Sequence, residues 1–174
     1  MTRAIYVGPW RVDLTVRDGV RSPVPGALLA RTVAAALDAA TAADRAPSPA
    51  SIGLILADDA ELAVLNREHM GKSGPTDVLS FPLMSGGGDP DVPAFALPPG
   101  RRPHLGDMVV SVERATGQAE AGRGGQTGDV AWSPADEMRL LVTHGALHIC
   151  GWDHAEPDEE AAMRALERGL LEAG

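Results

Sequence analysis

Three of the chain's five histidines fall between residues 144 and 154. His144 and His148 are four residues apart, so on an α-helix they stand one turn plus about 40° from each other and share a face. His154 follows six residues later, beyond Gly151, and a glycine lets a helix end in a left-handed turn. A chain that folds back at Gly151 brings His154 under the other two imidazoles. Three nitrogens held this way make an open site with a fourth position for water or substrate, the pattern of a catalytic rather than a structural zinc. Cys150 lies about 200° around the helix from His148 and is expected to pack in the core.

The histidine spacing is similar to that of the metzincin peptidases, with one departure. Those enzymes carry a glutamate directly after the first histidine as general base, and here that position is Gly145. The sequence therefore predicts a metal site without peptide hydrolysis. A metal can also polarise a phosphoryl oxygen and lower the pKa of a bound water towards ~7, which serves phosphodiester cleavage.

The elements that must position these residues can be read from pattern. At 174 residues, 44% hydrophobic and 22% charged, the chain is expected to be one domain with a real core. Residues 10–16 alternate apolar and polar, as a half-buried strand does. Residues 23–43 are rich in alanine and leucine after a proline start, a helix pattern. Residues 52–56 form a buried strand candidate. Asp58 caps the next helix, with Glu61 three residues on as in a capping box, and that helix ends near His69 or Met70. A glycine-rich turn then leads into a short strand closed by Pro82. Residues 104–111 read as another strand, with Gly106 marking a bulge or close backbone approach. A short helix near 113–120 follows. Ser133 and Pro134 open the histidine helix, with Asp136 and Glu137 suited to its dipole, and a last helix runs over 157–172. Residues 84–102 are expected to form an exposed mobile loop beside the site. Strands mixed with helices imply an α/β (α+β) domain over 1–174, a mixed β-sheet packed with helices.

Composition narrows the setting. One cysteine excludes an internal disulfide and fits a reducing cytoplasm. No signal peptide is recognisable, and no apolar run approaches the ~20 residues of a membrane span. The net charge of −9 argues against a polyanion partner. Its distribution softens that: residues 1–50 carry six Arg against four Asp, whereas 153–174 carry seven acids against two Arg. Arg101 and Arg102 are further candidates to face phosphates.

Residues 144–154, together with residues 75–82 (PTDVLSFP) and 105–111 (LGDMVVS), resemble the YbeY family of bacterial endoribonucleases. Leu65 and Asn66 extend the resemblance, which runs from about residue 50 to the last helix. It implies a zinc ion, one per chain, held by His144, His148 and His154. It also implies a single-strand-specific endoribonuclease acting in 16S rRNA 3′-end maturation and ribosome quality control. The partners would be single-stranded RNA, small-subunit rRNA and the small ribosomal subunit with its proteins, in the cytoplasm, with neither DNA nor membrane. Many members place an arginine important for activity where this chain has Met70, so Arg67 and Lys72 are the candidate phosphate contacts and catalytic cations. Thr76 and Ser80 are candidates for lining the substrate groove. Asp107 and Asp153 are candidates for orienting a liganding imidazole. Two other classes remain: a metal-dependent hydrolase of another ester or amide, which needs a carboxylate base near the metal, and a ribosome assembly factor with a purely structural metal.

Overall fold

The computed structural model describes residues 2–83, 101–121, 133–153 and 156–173. A hairpin opens the chain: β1 (Thr2–Val7) turns at Gly8, where φ is +54°, into β2 (Trp10–Val16). There follow α1 (Gly26–Ala42), β3 (Ser51–Ala57), α2 (Asp59–Met70), β4 (Val78–Pro82), β5 (His104–Ser111), α3 (Val112–Glu120), α4 (Pro134–Ile149) and α5 (Pro157–Ala173). The sheet order is β1-β2-β3-β5-β4. The two inner pairings, β2–β3 and β3–β5, are parallel, and the outer two are antiparallel. This is the mixed α/β single domain that the strand and helix patterns predict. β1 is the addition: as an edge strand it half-buries only Ile5 and Val7, which leaves little alternation to read.

Strand alternation sorts the core. Trp10, Val12, Leu14, Ile52, Leu54, Leu56, Met108 and Val110 join Leu29, Val33 and Leu37 of α1 and Met138, Leu141, Val142 and Leu147 of α4 in the main cluster. A smaller cluster sets Leu62 of α2 against Ala57, Leu79 and Val109. α4 touches α1, α3, α5, β4 and β5, so the histidine helix is braced by most of the fold.

Several local expectations can be checked against geometry. Asp58 Oδ1 accepts from the Glu61 amide at 2.8 Å, but the Glu61 carboxylate reaches Arg17 instead of completing a capping box. The reciprocal box is at α4, where Ser133 and Asp136 cap each other and Pro134 fills the first turn. Between the pairs Ser51–His104 and Gly53–Asp107, β5 holds one residue more than β3, a bulge. Gly106 lies there at φ +149°, and a Cβ on it would run into the Phe81 carbonyl oxygen. Of the expected loop, residues 84–100 lie outside the described residues. Arg102 is placed, its guanidinium 5.4 Å from the centroid of the Tyr6 ring. Among the described residues no helix is long and apolar enough to cross a membrane.

Candidate active site

α4 lies close on β4 and β5 because it presents Gly145 to them. A Cβ at 145 would stand 3.1 Å from both Met108 Sδ and Val78 Cγ2. Position 145 therefore faces the sheet, and a glutamate there would have to displace it.

His144 and His148 lie about 100° and 60° around the helix from that contact and line a cleft of about 1030 Å³. Their ring centroids are 4.4 Å apart with planes at 78°, and their Nε2 atoms are 3.0 Å apart. His144 Nδ1 and Glu167 Oε1 of α5 are hydrogen-bonded at 2.6 Å. An ionised carboxylate only accepts; an imidazole bonded to one carries its proton on Nδ1 and turns the Nε2 lone pair the other way, here towards His148. Two such nitrogens attract only with a proton between them or a cation beside both. Imidazole nitrogens on a tetrahedral zinc, each at 2.0–2.1 Å, sit about 3.3 Å apart, so the pair fits as two ligands of one ion. His154 lies outside the described residues. Among the described residues no group of three His, Cys, Asp or Glu side chains forms a metal set. The three-histidine arrangement is thus not displayed, although two of its members meet.

α4 ends as the Gly151 position predicts. Gly151 takes φ +81°, its amide donates to the His148 carbonyl at 3.0 Å, and the Trp152 amide donates to that of Leu147 at 3.1 Å, the paired bonds of a Schellman turn. Arg45, from the loop after α1, donates to the Gly151 carbonyl at 2.6 Å and lies 4.2 Å over the Trp152 ring. Cys150 is buried in the main cluster, and burial pushes its thiol up to about 11, which keeps it neutral and out of the chemistry.

The other expected residues divide. Lys72, Thr76, Ser80 and Asp153 line the cleft. The Ser80 hydroxyl donates to the Gly145 carbonyl and that of Thr76 to Asp77 Oδ1, so both also hold the wall together. Arg67 is exposed on α2 and is not among the lining residues. Asp107 does not orient a cleft histidine: it alternates with Met108, which faces α4, and it contacts His104 Nε2 at 3.1 Å. Gly53 opposite has no side chain, and a Cβ there would collide with the Asp107 carboxylate. Ser51 Oγ lies 3.1 Å from His104 Nδ1. The resulting Ser–His–Asp chain presents no nucleophile, because Ser51 is buried and its hydroxyl donates to the Pro103 carbonyl at 3.3 Å; it clips β3 to β5 across the bulge.

Sequence reasoning missed two carboxylates. Glu137 of α4 and Glu167 of α5 line the cleft at 2% and 4% exposure. The signal for Glu167 was available, since it falls on the stripe of Met163, Leu166 and Leu170. The cleft is also electrostatically one-sided. Among the described lining residues Lys72 is the only Lys or Arg, set against Asp77, Glu137, Asp153 and Glu167.

The fold and cleft define an α/β protein whose mixed sheet is crossed by a helix carrying a histidine pair backed by a buried carboxylate. Residues 20–173 match the family described as Endoribonuclease YbeY, and the chain belongs to that family. A protein of that name from Mycobacterium sp. (strain KMS) is 43% identical over 125 residues, 71% of this chain and 63% of the relative. The matched stretch thus spans under two thirds of the mycobacterial relative's length. Another from Azorhizobium caulinodans is 37% identical over 161 residues, 92% of this chain and 89% of the relative. A Thermotoga maritima protein solved in solution is 21% identical, with a TM-score of 0.49 over 91% of this chain and 87% of that one.

Proposed function

We propose that this chain is a metal-dependent endoribonuclease that cuts single-stranded RNA, acting with the small ribosomal subunit in 16S rRNA 3′-end maturation and quality control in the cytoplasm. The observation that carries the reading is the pair of Nε2 atoms 3.0 Å apart in the cleft wall, one of them oriented by Glu167. Family membership and the relatives' names support the RNA substrate. Zinc is the metal that imidazole ligands of this kind suit, with His144 and His148 as two ligands and His154 as the third. When bound, the ion supplies Lewis acidity at a phosphoryl oxygen. The chain's own residues do the rest: Lys72 neutralises a neighbouring phosphate, and the wall carrying Thr76 and Ser80 guides the strand. A flexible single strand enters such a cleft more readily than a stiff A-form duplex.

The second reading, hydrolysis of another ester or amide, gains one observation. Glu137 is a buried carboxylate in the same cleft, the kind of group a general base requires. The test therefore offers purified, zinc-loaded protein single-stranded RNA, a duplex of the same sequence, and peptide and ester substrates. Endonucleolytic cutting of the single strand alone is expected, abolished by chelation and reduced to the chelated rate in His144→Ala. RNA cleavage that survives both treatments would reject the proposal, and peptide or ester cleavage without RNA cleavage would install the second reading.

A further inference from the structure

Glu167 is an unusual residue for its helix. α5 otherwise buries only Met163, and its acidic first turn faces solvent. Yet this one carboxylate is 4% exposed, and its hydrogen bond among the described residues goes to His144 Nδ1 at 2.6 Å. Burying a carboxylate costs free energy unless a strong partner repays it, and this partner lies on another helix 23 residues away in sequence.

We propose that Glu167 is a positioning residue that selects the Nδ1–H tautomer of His144 and aims its Nε2 lone pair into the cleft. The inference rests on the metal reading of the histidine pair. Its chemistry follows from what each side chain can offer. Neutral imidazole has one N–H and one lone pair, and the group bonded to one nitrogen decides which the other presents. A carboxylate can only accept, so it enforces N–H at Nδ1. A glutamine is almost the same shape but can turn its NH₂ towards Nδ1, which moves the ring proton to Nε2 and blocks the ligating position. The C-terminal helix thereby sets the electronics of a ligand on the preceding one. Outer partners of liganding histidines contribute about 10–100-fold in metal affinity.

The test measures Zn²⁺ affinity by chelator competition and the His144 tautomer by two-bond ¹⁵N–¹H spectra of the zinc-free protein. Wild type should show Nδ1–H at His144. Glu167→Gln should bind Zn²⁺ about 10–100-fold more weakly, with the Nε2–H tautomer populated. Glu167→Asp, which keeps the carboxylate, should retain the wild-type tautomer. Met163→Val, on the same buried stripe, should lower the melting temperature but leave Zn²⁺ affinity unchanged, which separates positioning from simple docking of α5. An Nε2–H tautomer in wild type overturns the inference even if no variant folds, and so does Glu167→Gln binding within twofold of wild type. Wild-type protein that takes up no Zn²⁺ rejects the metal reading itself, a distinct outcome.

Discussion

Ser80 of β4 donates its hydroxyl proton to the Gly145 carbonyl at 3.0 Å, so the sheet edge and the histidine helix meet with no side chain of the helix between them. The contact explains why a peptidase-like spacing lacks the peptidase base. Restoring it with Gly145→Glu forces a carboxylate against Met108 and Val78. Overpacking of this kind costs about 1–3 kcal/mol, and burying the charge adds to it. Urea denaturation should show a loss above about 3 kcal/mol, with no gain of peptide cleavage. Gly145→Glu protein of wild-type stability would mean the helix does not lie this close.

The histidine helix was legible because its signals are local. Ser133, Pro134 and Gly151 mark its ends by backbone chemistry, and His144 and His148 share a face by periodicity alone. What escaped depends on which elements meet. Asp107 sits in a strand adjoining the site, so it looked like the partner of a liganding imidazole, but strand alternation turns it to the opposite face, where it meets His104. The carboxylate that meets His144 is Glu167 of α5, where composition made it one acid among seven. Glu61 was placed correctly for a capping box, yet Arg17, 44 residues away, offers its carboxylate a bidentate partner. Sequence could not choose between Arg67 and Lys72, because only the fold shows that Lys72 lines the cleft while Arg67, one helical turn before Met70, is exposed outside it.

Arg45 fastens the turn that leads from His148 towards His154, through the Gly151 carbonyl and the Trp152 ring. The contact is exposed, so Arg45→Ala should cost only about 1 kcal/mol of global stability. Its larger effect should be local. Zn²⁺ should dissociate faster from Arg45→Ala, by stopped-flow chelator exchange, while Arg31→Ala on the outer side of α1 stays at the wild-type rate. Equal dissociation rates would separate Arg45 from the site.

Cys150 gives a pH signature. Burial pushes the thiol up to about 11 from an ordinary value of 9.0. A raised folded-state pKa means that the unfolded chain loses the proton first, so this group's stabilisation is complete below pH 9 and declines as pH rises through 11. The decline approaches about 1.4 kcal/mol per pH unit within that window. Urea midpoints measured at intervals from pH 7 to 11 should converge between wild type and Cys150→Ala as pH rises, because the other titrating groups are common to both. Parallel curves would show that the thiol is not buried in solution.

The acid-lined cleft predicts that RNA affinity depends on a bound cation. Lys72 alone among the described Lys and Arg residues faces the four carboxylates there, so without a cation the wall repels phosphate. Adding Zn²⁺ should strengthen binding of a short single strand, measured by anisotropy with a His144→Ala variant as the zinc-insensitive control. Met70, 55% exposed, lines the same cleft, where a cation would face the phosphates. Met70→Arg should therefore tighten binding and steepen the log–log salt dependence by about 0.7, the increment for one phosphate contact to a single strand. Lys72→Ala should flatten it by about the same amount, while Arg67→Ala should leave the slope unchanged because Arg67 lies off the cleft. A flatter slope in Arg67→Ala with none in Lys72→Ala would move the phosphate path from the cleft wall to the outer face of α2.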